Sequence, residues 1–278
     1  MISASQVATR LLSNPLAIER VRAEILVRAF LRDEAPKAIV GIDMDADAPD
    51  AWLPYDVVSG VAVIQIRGML LQETGMSRAF WGVTGYDTIA NALTQALADP
   101  HVAGIALDID SPGGEVAGCF DLVDAIHAAR ATKPITAILN ESAYSAAYAI
   151  ASACEVITVP RTGGAGSIGV VSMHLDISAA LKAAGLKVTL IQYGANKTDS
   201  YPFKPLSDAA IADMQGKVDE MGDLFVETVA RNRGVSRASI IDTQARCFSG
   251  LAAVEAGLAD AVSAPAAAFR DFAAMLAA

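Results

Sequence analysis

Short apolar runs alternate with segments of helical spacing from about residue 56 onward. Val61 to Ile66 alternates like a half-buried strand, while Val102 to Ile109 and Ile135 to Leu139 are nearly continuous apolar runs. Between them, Tyr86 to Ala98 and Val116 to Ala129 carry apolar residues at helical intervals. Continuous apolar runs are typical of strands buried on both faces. The alternation therefore predicts an α/β fold built on a largely parallel sheet flanked by helices.

The same pattern predicts further elements after residue 140. The expected helices are one from about Ser145, Ile177 to Ala184 and Ser207 to Arg233, and the expected strands are Val156 to Val159, Ile168 to Met173 and Val188 to Gln192. Cys247 to Asp260 resembles a short strand followed by a helix with a glycine C-cap.

The long helix predicted from Ser207 has a narrow apolar seam. Its apolar residues alternate intervals of three and four: Ile211, Met214, Val218, Met221 and Phe225. A seam this narrow is typical of a contact between two helices. It could pack on its own sheet or on another subunit, and both interpretations stay open at this point.

Residues 1–55 are predicted to form an N-terminal appendage. Leu16 to Leu31 has helical spacing, as expected of a helix that covers the main domain or a neighbouring subunit. A docking or membrane-surface helix is the alternative. Asp43 to Asp50 is acidic and contains proline, so we interpret it as a linker; it lacks the glycine and the terminal glutamate of a calcium-binding loop. We expect a single main domain over residues 56–265 and a short tail over 266–278.

Composition narrows the function classes. The chain has 53% hydrophobic residues and a formal net charge of −10, without clustered lysine or arginine, so we expect no nucleic-acid partner. Cys119, Cys154 and Cys247 have neither metal-ligand nor disulfide spacing. No secretion signal and no membrane span is evident. We therefore expect a cytoplasmic protein that needs no metal or cofactor.

One serine stands where chemistry is expected. Ser145 lies between the apolar run that begins at Ile135 and an alanine-rich helical segment, at the predicted carboxyl end of a strand. The strand ending at Ile109 runs into Gly113 and Gly114 at the same edge of the sheet. Backbone N–H groups collect at such an edge and at a helix N-terminus. A hydroxyl nucleophile beside N–H donors is the arrangement that acyl transfer uses.

A serine hydroxyl needs a base to accept its proton. Among the histidines, His101 lies at the wrong end of its strand, His127 lies within a helix, and only His174 is loosely placed near Ser145. Lys197 follows the predicted strand ending at Gln192, in a glycine-containing loop. Burial can lower a lysine pKa far enough for it to act as a base, although a loop lysine is more often a solvated charge.

Four motifs occur in one order and with suitable spacing. They are Asp108-Ile-Asp-Ser-Pro-Gly-Gly-Glu-Val116, Ala143-Tyr-Ser-Ala-Ala-Tyr148, Gly166-Ser-Ile-Gly-Val170 and Gly194-Ala-Asn-Lys-Thr-Asp199. Together they make the chain resemble the signal peptide peptidase A family of serine peptidases over about residues 57 to 262. More narrowly, it is similar to the phage and prophage branch that includes head-maturation, or capsid assembly, proteases. The resemblance implies a Clp-protease-like or crotonase-like core.

The resemblance also implies residue roles. Ser145 matches the family nucleophile, Lys197 its general base, and Ser167 a serine that orients the lysine. The backbone N–H groups of Gly114 and Ala146 would form the oxyanion hole.

Gly113 and Gly166 are expected to line the substrate site. Ala146 and Ala147 stand where many members have two glycines, a change that keeps the N–H group but stiffens the turn. The implied function is endopeptidase cleavage of capsid or scaffold proteins, in the bacterial cytoplasm or the phage prohead, by a homo-oligomer.

Three alternatives remain. One is signal-peptide cleavage or general peptide degradation in the bacterial cytoplasm. Another is an acyl-CoA hydratase or isomerase on the related crotonase fold, with Glu115 and Glu141 as the available acids. The last is a structural assembly protein with a relic site, against which intact Ser145 and Lys197 argue.

Overall fold

The computed structural model describes residues 15–18, 53–75 and 82–278. The strands are β1 (Leu16–Ile18), β2 (Asp56–Val58), β3 (Val61–Leu71), β4 (Val83–Gly85), β5 (Gly104–Glu115), β6 (Ile135–Tyr144), β7 (Val156–Val159), β8 (Gly164–Gly166), β9 (Cys247–Ser249) and β10 (Ala261–Val262). The helices are α1 (Tyr86–Ala98), α2 (Cys119–Ala129), α3 (Ala146–Ser152), α4 (Ser178–Ala183), α5 (Asp208–Arg233), α6 (Arg237–Asp242), α7 (Leu251–Glu255) and α8 (Pro265–Ala277).

The strands form one sheet with a parallel centre. Its order is β10-β7-β6-β5-β3-β2, and every neighbouring pair from β10 to β3 is parallel, whereas β2 pairs with β3 antiparallel. At the carboxyl edge, β8 extends β6 in parallel and β1 pairs antiparallel with the end of β5. This confirms the predicted α/β fold with a parallel core.

Helices cover both faces of the sheet. The main core is formed by the sheet with α1, α2, α3 and the second half of α5. On the other face, Ala268 of α8 packs with Val61, Ala106 and Ile138 of three neighbouring strands. The expected tail, residues 266–278, contains most of α8, which packs on this face of the sheet.

Several predicted elements are confirmed within a few residues, among them the helix Tyr86–Ala98 and the strand Val156–Val159. Two predicted strands are wrong. In Ile168 to Met173 only Val171 makes a β-bridge, with Leu16. Val188 to Gln192 forms no strand, and Ile191 is 95% exposed. Apolar alternation makes a strand only where a partner strand and a packing surface are available.

The N-terminal segment also differs from its prediction. Leu16–Ile18 is a buried strand and not the start of a helix. Because these three residues pair with β5, they belong to the same sheet as the main domain expected from residue 56. The rest of the expected helix, up to Leu31, and the expected linker Asp43 to Asp50 lie outside the described residues.

The seam of α5 is divided between two environments. Phe225 is fully buried and packs edge-on against Phe120 at 5.6 Å between ring centroids, while Ile211 at the other end of the seam is 52% exposed. Its second half thus packs on the chain's own core and its first half does not. In the part of the chain that the structure describes, no helix is long and apolar enough to cross a membrane.

Candidate active site

Ser145 lies at the junction between β6 and α3, fully buried. Its φ of 55° and ψ of −123° lie far from both strand and helix geometry. Such a conformation is strained for a residue with a side chain and persists only where the surroundings hold it in place. Here the N–H of Ser145 donates to the carbonyl of Gly166 at 2.8 Å, and its carbonyl accepts from Ala149 at 2.9 Å.

The Ser145 hydroxyl points toward the carbonyl of Gly169, a residue of the Gly166–Val170 motif to which the sequence assigned no role. Oγ donates to the backbone oxygen of Gly169 at 3.4 Å, which is a long hydrogen bond. Gly169 lies three residues beyond the strand β8 that flanks β6. No local sequence signal marks this carbonyl as a partner, because the contact depends on how residues 167–171 pass over the sheet edge.

Gly113 and Gly114 lie beside Ser145 for reasons of backbone packing. Gly113 has a φ of +96°, and a Cβ there would lie 2.2 Å from the carbonyl oxygen of Ala17 and 3.0 Å from Cβ of Ser145. A Cβ on Gly114 would lie 1.9 Å from the carbonyl oxygen of Leu70 on β3. Any side chain at either glycine would displace backbone, so close approach of strands requires glycine here.

Ser167 and Gly166 lie next to Ser145 along the extended edge of β6. Gly166 pairs with Tyr144, the residue before Ser145, and has a φ of +115°. Ser167 is 9% exposed with a φ of 56°, and its N–H donates to the carbonyl of Arg246 at 2.9 Å. The structure therefore brings together Ser145, Gly113, Gly114, Ala146, Gly166 and Ser167.

In the described part of the chain, no hydrogen bond or ion pair joins Lys197 to this cluster. Its side chain is exposed, and its backbone N–H donates to the carbonyl of Gly194 at 3.2 Å. Among the described residues, Lys197 forms no hydrogen bond with Ser145 or Ser167. Lys204, in the same segment, forms an ion pair with Asp199 at 3.5 Å. Among the described residues, Lys197 has no such carboxylate partner.

The histidines lie in three different environments. His101 is 87% exposed and contacts Asp99 at 3.2 Å. On α2, burial lowers the pKa of His127, and the nearby Arg130 and Arg231 lower it further. The Nε2 atom of His174 is buried and has no hydrogen-bond partner among the described residues. None of the three donates to or accepts from Ser145.

The two glutamates that a hydratase would need have other partners. Glu115 is 1% exposed, and its carboxylate accepts from the N–H of Gln72 at 2.7 Å. Glu141 is exposed and accepts from the Thr162 hydroxyl at 3.2 Å. Both carboxylates accept hydrogen bonds from groups of the protein itself. No group of metal-ligating residues occurs within the described ranges.

A fold with a parallel core and a strained serine beside two glycines defines a serine-hydrolase type of site. Residues 127–277 match the model of peptidase family S49, and the chain belongs to that family. It is 44% identical over 206 residues to the head-tail preconnector protein GP5 of Enterobacteria phage P21, covering 74% of this chain and 41% of that protein. It is 39% identical over 223 residues to capsid assembly protease C of Escherichia phage lambda, covering 80% of this chain and 51% of the relative.

The chain thus spans about half the length, or less, of these two curated relatives. Among solved structures, a mutant of ClpP1 from Listeria monocytogenes matches with a TM-score of 0.44 and 14% identity, covering 72% of this chain and 90% of that chain.

Proposed function

We propose that this chain is a serine endopeptidase that works through an acyl-enzyme formed on Ser145. The observation that carries the proposal is the strained backbone of Ser145, held by Gly166 at the sheet edge where Gly113 and Gly114 also lie. Strained residues cluster at active sites, and family membership supports that interpretation of Ser145.

The proposed reaction uses backbone donors and one base. Neutral Lys197 takes the hydroxyl proton of Ser145 while Oγ bonds to the carbonyl carbon of the substrate. The N–H groups of Gly114 and Ala146 stabilise the oxyanion. Lys197 then gives its proton to the leaving amine as the C–N bond breaks, and water hydrolyses the acyl-enzyme in the reverse sequence. Ser167 would orient the lysine amine.

Assembly with a second copy would supply what the single chain lacks at this site. The segment 186–203 carries Lys197 and exposes large apolar side chains, with Ile191 95% and Tyr193 100% exposed. Surfaces of this kind commonly mark protein interfaces. We propose that this segment docks on a neighbouring copy, which buries Ile191 and Tyr193 and brings Lys197 to the serine of that copy.

The proposed substrates are proteins of a phage capsid or its scaffold, cleaved in the bacterial cytoplasm or in the prohead. The support is the sequence similarity to a head-tail preconnector protein and to a capsid assembly protease. Cleavage of signal peptides or of general cytoplasmic peptides is the alternative that a substrate screen would reveal.

A serine-directed probe tests the chemistry directly. The chain is incubated with a fluorophosphonate, and the modified peptide is identified by mass spectrometry. We expect modification at Ser145, none in Ser145→Ala, and normal modification in Ser142→Ala, which alters a serine three residues earlier, on β6. Absence of labelling at Ser145 in the folded, assembled protein would rule out an acyl-enzyme on this serine.

A further inference from the structure

Strand β1 lies directly across the proposed oxyanion hole. Its register against β5 places Leu16 opposite Glu115, Ala17 opposite Gly114 and Ile18 opposite Gly113. All three residues of β1 are buried, with Leu16 and Ala17 1% exposed and Ile18 6% exposed. The N-terminal segment of the chain therefore covers the glycines that a substrate carbonyl would need.

β1 lies in a groove between two backbone edges. On one side, Leu16 and Val171 exchange both hydrogen bonds, at 2.9 and 2.8 Å. On the other side, the N–H of Val116 donates to the carbonyl of Pro15 at 3.3 Å. Because polar groups alternate sides along a strand, the carbonyl of Ala17 faces β5 opposite Gly114. Addition of a strand to open edges is a common way to bind an extended peptide.

The position of one carbonyl connects this strand to the chemistry. The carbonyl oxygen of Ala17 and the Cβ of Ser145 both lie within 3.0 Å of the same point, where a Cβ on Gly113 would be. A peptide carbonyl of the chain thus lies beside the nucleophile and the proposed oxyanion donor Gly114.

The side chains of β1 fill two kinds of pocket. Leu16 and Ile18 pack with Leu71 in one apolar cluster, which Met69, Val83 and Met173 border. Ala17 points the other way, into the main core. Side chains alternate along a strand. A peptide that fits this groove as β1 does would therefore place two large apolar residues on one side and a small residue between them on the other.

We propose that residues 15–18 bind in the substrate groove as an internal competitor, and that the groove accepts extended peptides with the pattern large apolar, small, large apolar. This inference rests on the proposed peptidase function, because it assigns the groove to substrate. A tethered competitor lowers the apparent affinity for substrate by the fraction of molecules in which the groove is open. The chain thereby limits its own cleavage activity until β1 leaves.

Displacement of β1 tests the proposal. In the double variant Leu16→Asp with Ile18→Asp, burial of two unpaired carboxylates is costly, so β1 should leave the groove. We expect KM for an extended fluorogenic peptide to fall by on the order of tenfold while kcat is unchanged. The matched control is Leu251→Asp, at a leucine that is 63% exposed, and should leave KM as in the parent chain.

A binding measurement separates this proposal from catalysis. A fluorescent peptide with the sequence of residues 13–20 is titrated, by anisotropy, into full-length chains that also carry Ser145→Ala. We expect tight binding to the double variant, weak binding to the parent background, and none for a peptide with aspartate at the positions of Leu16 and Ile18. Equal binding to the double variant and to the parent would overturn the inference.

A cross-link provides the opposite perturbation, in case the double variant is unstable. Hydrogen-bonded antiparallel partners have Cα atoms about 5.5 Å apart, which suits a disulfide. Leu16→Cys with Val171→Cys, in a Cys247→Ala background, should lose peptide cleavage when oxidised and regain it with reductant. Full cleavage in the oxidised form would show that the covered groove is not the substrate site. If the fluorophosphonate fails to label Ser145 in both the parent and the reduced form, the proposed peptidase function is wrong instead.

Discussion

Gly113 and Ser145 approach so closely that a methyl group on Gly113 would lie 3.0 Å from Cβ of the serine. The two residues come from different strands, β5 and the end of β6, and both have positive φ. Their close approach fixes the spacing between the glycine-containing end of β5 and the serine.

Gly113→Ala should therefore disrupt both stability and activity. The added Cβ would lie 2.2 Å from the carbonyl of Ala17, at a φ of +96° that alanine adopts only with strain. We expect roughly 1–3 kcal/mol lost in the free energy of unfolding by denaturant titration, and loss of peptide cleavage. Gly185→Ala is the control, because Gly185 has a φ of +73° but nothing within 4 Å of a Cβ. Gly185→Ala should lose only the free energy of unfolding that its strained φ costs, and it should keep its cleavage activity. If the two variants behave alike, crowding at Gly113 has no effect.

Ser145→Ala should abolish cleavage, by on the order of 10⁶-fold in kcat, because no nucleophile remains. The circular dichroism spectrum should match that of the parent, since the backbone bonds to Gly166 and Ala149 do not involve the hydroxyl. Ser142→Ala, on β6, should cleave at the parental rate. Substantial cleavage by Ser145→Ala would rule out the acyl-enzyme mechanism.

Lys197→Ala should be nearly as damaging as loss of the serine, because only a neutral amine can take its proton. Lys204→Ala is the matched control, because Lys204 lies in the same segment and forms an ion pair with Asp199. His101→Ala, His127→Ala and His174→Ala should also remain active. An inactive His174→Ala with an active Lys197→Ala would transfer the role of base to the histidine.

Mixing two inactive chains tests where Lys197 acts. If the lysine serves the serine of a neighbouring copy, Ser145→Ala and Lys197→Ala chains should regain part of the parental activity when combined. Light scattering on the parent should give a mass well above the 28.8 kDa of one chain. Ile191→Ser with Tyr193→Ser should lower that mass and the activity together. A fully active species with the mass of a single chain would contradict assembly.

The cysteines should react in a fixed order. Burial raises the pKa of Cys119 to about 12 and also raises the pKa of Cys154, so neither forms thiolate at neutral pH. Cys247 is exposed. A chromogenic disulfide reagent at about pH 8, near the ordinary thiol pKa, should modify Cys247 first and the other two only in denaturant. Rapid modification of Cys119 would indicate that α2 opens beside the carbonyl of Ala146, 3.8 Å from the Cys119 sulfur.

Much of the site could be predicted because its parts lie at ends of regular elements. Apolar periodicity predicted the strands that end near Gly113 and at Ser145, and carboxyl ends of parallel strands share one edge. Gly169 could not be predicted as a partner of Ser145, since its contact comes from a segment that forms no regular strand. The approach of Lys197 to Ser145 was inferred from the resemblance, and the structure of one chain does not supply it.

The sequence by itself determined the elements whose apolar pattern is long and regular, such as α1 and the buried strands β5 and β6. In those segments the period of the side chains fixes which face is buried, whatever the partner. Only the tertiary structure decided the short or ambiguous segments. Leu16–Ile18 became a strand because β5 and Val171 offer it two backbone edges. Residues 188–192 pair with no described strand and are mostly exposed. Strand formation needs hydrogen-bonding partners distant in sequence, and those partners exist only once the sheet has formed.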